Sequence, residues 1–149
     1  MKELLKKLKE KGLTLSCCES LTGGLFASSI VEISGASEVF VGGYVTYQNQ
    51  AKELILDGQN ILKSYGAISK EMAYRMASKA KNDFKSDLAI SFTGNAGPDA
   101  SEEKEVGLVF ICLIIKGKVY YFEKHYQGDR KQIRFQCIED AKKEILSNI

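Results

Sequence analysis

The stretch from residue 13 to residue 33 changes its hydrophobic spacing partway along, and this change most constrains the fold. Residues 13–18, Leu-Thr-Leu-Ser-Cys-Cys, have the short, partly alternating character of a strand. From Leu25 to Ile33, apolar side chains recur instead at helical spacing. A polar turn, Glu19 to Gly24, separates the two patterns. The sequence therefore predicts a strand, a turn and a helix, which is the repeating unit of α/β folds.

Further strand and helix patterns follow along the chain. A leucine stripe predicts a first helix over 2–11, and Ser69 stands at the N-cap of a long amphipathic helix. The dipeptide Lys116-Gly117 links two strand-like runs as a β-hairpin. The remaining predictions are strands at 39–47, with a bulge or kink at its glycines, and 87–93, and helical segments at 49–56, within 58–66 and over 133–145. The predicted order, α-β-α-β-α-α-β-β-β-α, indicates a mixed sheet covered by helices on both faces.

Length, charge and cysteine usage limit the class of protein. A chain of 149 residues that is 44% hydrophobic suits one globular domain, 1–149. Its net charge of +2 predicts no electrostatic binding to nucleic acid or to an anionic membrane. No apolar run approaches the ~20 residues of a membrane-spanning helix and no signal peptide is recognisable, so we expect a cytoplasmic location. The cysteines lack the spacing of a metal site or a disulfide framework, and we expect buried thiols at Cys17, Cys18, Cys112 and Cys137.

Two polar loops are expected to form a crevice. In sheets of this kind, ligands bind beyond the carboxyl ends of parallel strands, which would bring together loops 19–24 and 94–99. Ser20 would project its hydroxyl group into this crevice, and backbone N–H groups at the start of the following helix would face an oxyanion or a phosphate. The alternative is that the serine, threonine and glycines of the first loop only cap the helix.

A serine nucleophile needs a base. The single histidine, His125, lies in a strand-like aromatic run and is the only residue that would allow serine–histidine catalysis. Lys52 follows the polar cluster at 46–49, and burial can lower the pKa of a lysine until it acts as a base. Lys52 is the better candidate, and an ordinary surface lysine is the alternative.

Three further features can each be interpreted either as functional or as purely structural. Ser78 and Lys81 form an S-x-x-K pattern, but both fall inside the long helix and away from its apolar stripe, so we interpret the pattern as accidental. Arg130 follows Asp129 at the start of the last helix, where it would either bind a carboxylate or phosphate or merely flank a helix cap. A solvated acidic loop is favoured over a Mg²⁺ site for Asp99, Glu102 and Glu103.

Five ordered blocks of sequence cover most of the chain and match one family pattern. They are Glu19–Gly24, Gly43–Lys52, Gly66–Ser69, Thr93–Pro98 and Ser101–Lys104, and a Gly-Asp-Arg at 128–130 precedes the final helix. In these blocks and their order, the chain resembles the CinA C-terminal domain family.

This resemblance implies both a fold and an activity. The fold is a three-layer α/β/α sandwich with a mixed, mostly parallel sheet of about five strands. The activity is hydrolysis of the carboxamide of nicotinamide mononucleotide to nicotinic acid mononucleotide and ammonia, a step of pyridine-nucleotide salvage, without metal or organic cofactor. A homodimer is expected. Larger relatives carry an additional N-terminal domain similar to nucleotide pyrophosphatases, and this chain looks like the stand-alone amidohydrolase.

The resemblance also implies residue roles. Ser20 would be the nucleophile, Lys52 the base that accepts its proton, and Tyr47 a neighbouring hydroxyl that assists proton transfer or orientation. Backbone N–H groups near 22–24 or 94–96 would hold the oxyanion. The implied substrate-binding residues are Thr22, Gly23, Gly24, Thr46, Asn49, Gly94, Asn95, Ala96, Gly97 and Arg130.

The chain departs from the family pattern at three positions. Leu21 stands where cysteine is usual, Asn95 replaces an aliphatic residue and Glu105 replaces proline. We expect Leu21 to pack in the interior and Asn95, in the ligand loop, to affect specificity. Two other functions are compatible with the pattern: a non-catalytic module that binds a nucleotide or a protein, and an amidase acting on a different carboxamide.

Overall fold

The computed structural model describes residues 1–149, with six α-helices, five strands and a short 3-10 helix at Ala36–Glu38. No helix in it combines the length and the apolar character needed to cross a membrane. The helices are α1 (Lys2–Glu10), α2 (Leu25–Val31), α3 (Asn49–Leu56), α4 (Gln59–Tyr65), α5 (Lys70–Phe84) and α6 (Arg130–Asn148). The strands are β1 (Leu15–Glu19), β2 (Phe40–Val45), β3 (Leu88–Gly94), β4 (Leu108–Ile115) and β5 (Lys118–His125).

The strands form one mixed sheet in the order β2-β1-β3-β4-β5. β1 pairs in parallel with both β2 and β3, whereas β4 is antiparallel to β3 and to β5. The mixed sheet and the late hairpin are therefore confirmed. Because β1, β2 and β3 run in the same direction, the segments that follow Glu19, Val45 and Gly94 leave the sheet at the same edge.

Helices cover both faces of this sheet. On one face α1, α2 and α6 contribute Leu8, Phe26 and Ile133 to the largest buried cluster. On the other face α5 packs its methionines and alanines against the sheet. Cys17 and Cys18 lie in these two different clusters, because successive side chains of a strand point to opposite faces. The three-layer α/β/α fold is confirmed, and all four cysteines are buried and free.

The short helix predicted within 58–66 is present as α4, so three helices, and not the two of the predicted order, lie between β2 and β3. The C-cap of α3, Asp57, adopts a left-handed conformation with φ 51°, and Gly58 then leads into α4. None of the residues of α4 is fully buried. The sequence of α4 therefore lacks the strong apolar stripe by which a helix is recognised, and the order is α-β-α-β-α-α-α-β-β-β-α.

The edge strand β2 is irregular at its glycines, as predicted. Leu15 pairs with Phe40 and Ser16 with Gly42, so β2 has one extra residue at this point. The next residue, Gly43, approaches β1 so closely that an added Cβ would lie 2.4 Å from the Cys17 Sγ. This close pairing continues past the strand, where the Thr46 N–H donates to the Glu19 carbonyl at 2.9 Å. The segment after β2 is thereby held beside the turn that carries Ser20.

Candidate functional site

The centre of the site is a contact between Ser20 and Lys52. Ser20 follows β1 directly, and its N–H donates to the Phe92 carbonyl at 3.0 Å. Lys52 lies in α3 with only 1% of its surface exposed, and its Nζ is 3.0 Å from the Ser20 Oγ. The structure thus brings together the predicted nucleophile and the predicted base, although 32 residues separate them along the chain.

The Lys52 amine is held by two backbone carbonyls in addition to Ser20. Its Nζ donates to the Thr46 carbonyl at 2.6 Å and to the Tyr47 carbonyl at 3.2 Å. Burial lowers the pKa of Lys52, because desolvation penalises the charged ammonium form, while electrostatic interaction with the Glu102 carboxylate partly opposes this effect. The lysine is therefore an oriented amine with an increased tendency to be neutral.

A cavity of about 500 Å³ opens beside this pair. The loop after β1 and the loop after β3 both line it, as the topology predicts. The predicted site residues that line it are Ser20, Tyr47, Asn49, Lys52, Gly94, Asn95, Ala96, Gly97 and Arg130. The remaining four, Thr22, Gly23, Gly24 and Thr46, are not among its lining residues.

The first turn of α2 is occupied by a protein carboxylate and not exposed as an anion site. Glu19 is completely buried and accepts the backbone N–H groups of Gly24 at 2.9 Å, Phe26 at 3.1 Å and Ala27 at 2.9 Å. The Gly23 N–H donates to the Ser20 carbonyl at 3.0 Å. The glycines of this turn therefore support the Ser20 loop, and their N–H groups are not free for an oxyanion or a phosphate.

Thr22 and Thr46 also act within the protein. The Thr22 carbonyl accepts a hydrogen bond of 2.7 Å from Arg134, and the Thr22 side chain is buried. The Thr46 hydroxyl lies 3.6 Å from the Cys18 thiol, and only its carbonyl reaches Lys52. Among the lining residues whose N–H donates to no protein acceptor are Leu21, directly after Ser20, and Ala96 in the loop after β3. Leu21 itself is buried in the main core, as expected.

Arg130 connects three segments at the cavity. One guanidinium nitrogen donates to the Tyr47 hydroxyl at 2.6 Å and the other to the Gly97 carbonyl at 2.5 Å. The Tyr47 hydroxyl is thus bonded to Arg130 and makes no hydrogen bond to Ser20 or Lys52. Asp129 caps α6 through the Gln132 N–H, so the cap and the cavity contact of Arg130 exist together.

The loop between β3 and β4 is braced internally. Asn95 donates to the Lys104 carbonyl at 3.1 Å, and its side-chain oxygen accepts the Gly97 N–H at 3.2 Å. Both ends of this amide are consequently used within the loop. The peptide bond between Gly97 and Pro98 is cis. No group of three or more His, Cys, Asp or Glu side chains is arranged to hold a metal ion.

Other sequence candidates lie away from the cavity. His125 is exposed on the edge strand β5, paired with Glu105 and Glu123. Ser78 and Lys81 lie in α5 and do not line the cavity. Sequence reasoning missed the structural role of Glu19, for which the signal was a charged residue closing an otherwise buried strand. It also assigned no role to four further lining residues, Ala67, Ile68, Thr93 and Ser101.

A serine hydroxyl beside a desolvated amine is suited to nucleophilic attack, since the amine can accept the hydroxyl proton. The fold and the site define an α/β/α domain with a buried serine–lysine pair at the carboxyl edge of parallel strands. Over residues 1–149, the chain matches the family described as the CinA C-terminal domain. The chain therefore belongs to the CinA C-terminal domain family.

Relatives and solved structures agree with this assignment. A competence-damage inducible protein of Bacillus mycoides is 51% identical over 132 residues, and one of Bacillus cereus is 49% identical over the same length. These alignments cover 87% of this chain but only 32% of each relative. A CinA superfamily protein of Escherichia coli is 31% identical with a TM-score of 0.95, covering 99% of this chain and 87% of that one. The competence/damage inducible protein CihA of Agrobacterium tumefaciens is 35% identical with a TM-score of 0.93, covering 98% and 91%.

Proposed function

We propose that this domain hydrolyses the carboxamide of nicotinamide mononucleotide, giving nicotinic acid mononucleotide and ammonia. The observation that carries the proposal is the 3.0 Å contact between the buried Lys52 amine and the Ser20 hydroxyl. The resemblance to amidohydrolases of the CinA C-terminal domain family supplies the substrate. The relatives are named for competence or for induction by damage, and their names specify no chemical reaction.

The hydrogen bonds of Lys52 support its role as the base. A neutral amine has two N–H donors and one lone pair. When the donors serve the carbonyls of Thr46 and Tyr47, the lone pair is left for the Ser20 hydroxyl proton. The same three contacts therefore activate the serine without a histidine.

The reaction then proceeds in two acyl-transfer steps. Ser20 Oγ attacks the amide carbon as its proton passes to Lys52, and the free N–H groups of Leu21 and Ala96 are the proposed donors to the oxyanion. Collapse of the tetrahedral intermediate breaks the C–N bond, and the amine of the leaving group takes the proton from Lys52 and departs as ammonia. Water, deprotonated by Lys52, attacks the ester; the acid is released and Ser20 regains its proton.

The cavity suits the nucleotide portion of the substrate. Its volume of about 500 Å³ lies within the usual range for small-molecule sites. Arg130 lines the cavity and donates only two of its five N–H groups to Tyr47 and Gly97, so the other three can bind the 5′-phosphate. Tyr47 is accordingly proposed to orient Arg130.

Ammonia release from nicotinamide mononucleotide by the purified protein tests the proposal. We expect Ser20→Ala and Lys52→Ala each to reduce the rate by at least ~10³-fold, because each removes one half of the nucleophile–base pair. Ser78→Ala and Lys81→Ala are matched controls, since they alter the S-x-x-K pair in α5 outside the cavity, and we expect wild-type rates from them.

Three outcomes separate this proposal from its alternatives. Hydrolysis of nicotinamide or of its riboside in preference to the mononucleotide would indicate a different carboxamide substrate. Binding of the mononucleotide without ammonia release would indicate a nucleotide-binding module. Equal release by wild type and Ser20→Ala would show that the serine mechanism is wrong.

A further inference from the structure

The side chain of Glu102 joins two separate walls of the cavity. It extends from the loop between β3 and β4, and its carboxylate accepts the Ala67 N–H at 2.8 Å and the Ile68 N–H at 3.0 Å. Ala67 and Ile68 belong to the short connector between α4 and α5, and both line the cavity together with Glu102. The carboxylate thus binds consecutive backbone donors 34 and 35 residues away in sequence.

Further hydrogen bonds from Lys104 and Thr93 also hold the connector in place. Lys104 donates to the carbonyls of Ile68 and Tyr65 and lies 3.7 Å from the Glu102 carboxylate. The Thr93 hydroxyl donates to the Ala67 carbonyl at 2.6 Å. Both the N–H groups and the carbonyls of the connector are therefore hydrogen-bonded to the β3–β4 loop or to β3.

The backbone of the loop is shaped to present Glu102. Ser101 pairs with Lys104 in an isolated β-bridge, and between them Glu102 and Glu103 have φ values of 56° and 57°. Left-handed backbone is unfavourable for a non-glycine residue, so other contacts must compensate for it. The hydrogen bonds of Glu102 are such contacts, whereas the likewise exposed Glu103 makes no side-chain hydrogen bond.

Glu102 also contributes charge to the surroundings of Lys52. Burial raises the pKa of Cys18 to about 12, so its thiol is neutral at physiological pH. The carboxylate of Glu102 then remains as the negative charge that raises the pKa of Lys52 against the lowering effect of burial. The other ionisable groups that line the cavity with Lys52 are Tyr47 after β2, Asp99 and Glu102 in the β3–β4 loop and Arg130 on α6, and Cys18 on β1 also interacts with Lys52.

We propose that Glu102 is a positioning residue of this site: it fastens the 66–68 connector to the cavity wall and places a negative charge in the cavity that Lys52 also lines. The inference rests on the proposed function in so far as Lys52 acts as the base. Loss of the Glu102 charge favours the neutral form of the Lys52 amine, whereas loss of the Glu102 hydrogen bonds releases the connector. Because the two changes affect different residues, they can be measured separately.

Glu102→Gln and Glu103→Gln form a matched pair for the test. Each removes one carboxylate from a residue with the same backbone conformation, but only Glu102 lines the cavity. The titration of Lys52 is followed by NMR of its ¹³Cε, which requires no turnover. In Glu102→Gln we expect the midpoint of the Lys52 titration to move to lower pH, and the acid limb of the kcat/KM profile to move with it. We expect kcat/KM at the optimum pH to fall by about 10-fold. Glu103→Gln should match wild type in all three.

A second variant tests the fastening by itself and remains informative if Glu102→Gln does not fold. Glu102→Asp keeps the charge but shortens the reach, so we expect the Ala67 and Ile68 amides to exchange faster with solvent while the Lys52 midpoint stays near wild type. An unmoved Lys52 midpoint in Glu102→Gln, or unchanged amide exchange in Glu102→Asp, would overturn the inference. If wild type releases no ammonia, the proposed function fails, yet the NMR measurements still decide the role of Glu102.

Discussion

The carboxylate of Glu19 is buried immediately before Ser20, where it accepts three backbone N–H groups from the first turns leading into α2. A helix N-terminus attracts anions, and here the protein supplies its own. The turn that carries the Ser20 hydroxyl is therefore hydrogen-bonded on both sides. It cannot shift without breaking the hydrogen bonds to the Glu19 carboxylate. Lys52 is restrained in a comparable way by two carbonyls.

Replacing Glu19 with Gln should lower the free energy of unfolding by about 2–3 kcal/mol, because the glutamine NH₂ group must face at least one backbone donor. Urea denaturation measures the change. Glu10→Gln is the control: Glu10 is exposed and paired only with Lys6 and Lys7, so its loss should cost less than about 0.5 kcal/mol. A wild-type denaturation midpoint for Glu19→Gln would contradict the assigned role.

The rate of ammonia release should depend on pH through Lys52. Desolvation lowers the pKa of Lys52, so the amine is neutral and basic above that lowered pKa and protonated below it. We therefore expect kcat/KM to be lost as pH falls through this value and to be retained above it. Lys52→Arg should be inactive throughout, since a guanidinium does not deprotonate in proteins. A rate that increases towards acid pH would rule out Lys52 as the base.

At the scale of elements, β2 controls the site by how closely it approaches β1. Gly43 lies where a Cβ would be 2.4 Å from the Cys17 Sγ and 2.8 Å from the Cys17 carbonyl oxygen, and the second of these atoms belongs to the backbone. The carbonyls that orient Lys52 follow within a few residues, at Thr46 and Tyr47. Separation of the strands at Gly43 would therefore move Lys52 relative to Ser20.

Gly43→Ala should destabilise the protein by about 1–3 kcal/mol, because the added methyl group forces β2 away from β1. It should also reduce ammonia release more than its stability loss explains. Val41→Ala is the control on the same strand, since Val41 is half exposed and its truncation should cost less than about 1 kcal/mol. Urea denaturation and kcat measured on the folded protein together check the prediction. Wild-type values for Gly43→Ala would mean that the strands do not need this close contact.

At the scale of the whole molecule, the cavity exists only in the folded chain. Its walls come from the turn after β1, the segment after β2, the connector before α5, the β3–β4 loop and the start of α6. No two of these are held together by local sequence alone. A ligand that bridges them binds the folded protein and not the unfolded chain, so binding should stabilise the entire fold.

Nicotinic acid mononucleotide at about 100 times its Kd should raise the free energy of unfolding by about 2.7 kcal/mol. Thermal or urea unfolding at several ligand concentrations measures the effect. At the same concentration, nicotinic acid should stabilise less, because it lacks the phosphate proposed to bind Arg130. Arg130→Ala should remove most of this difference. Equal stabilisation by the two compounds would place the phosphate away from Arg130.

Local patterns predicted most of the elements and some of the site. The apolar stripe and Ser69 cap defined α5, the Lys116-Gly117 link defined the hairpin, and both are confirmed. The helix α4 was predicted within 58–66 but not counted in the element order, because it buries no residue completely and its pattern is weak. Family resemblance paired Ser20 with Lys52, but spacing alone left Lys52 indistinguishable from a surface lysine. The prediction that residues 22–24 offer free anion donors is wrong at Gly23 and Gly24, since both N–H groups are bonded within the protein.

The sequence by itself determined the periods of strand and helix, the caps and turns, and the family, because these depend on neighbouring residues or on ordered blocks. Tertiary structure alone decided which polar groups are free. Glu19 filled the start of α2, Arg130 joined Tyr47 to Gly97, and Glu102 crossed to the 66–68 connector. The physical reason is that hydrogen bonding between distant segments depends on burial and on competition among all acceptors near a donor. The buried contact of Lys52 with Ser20 is the outcome of that competition.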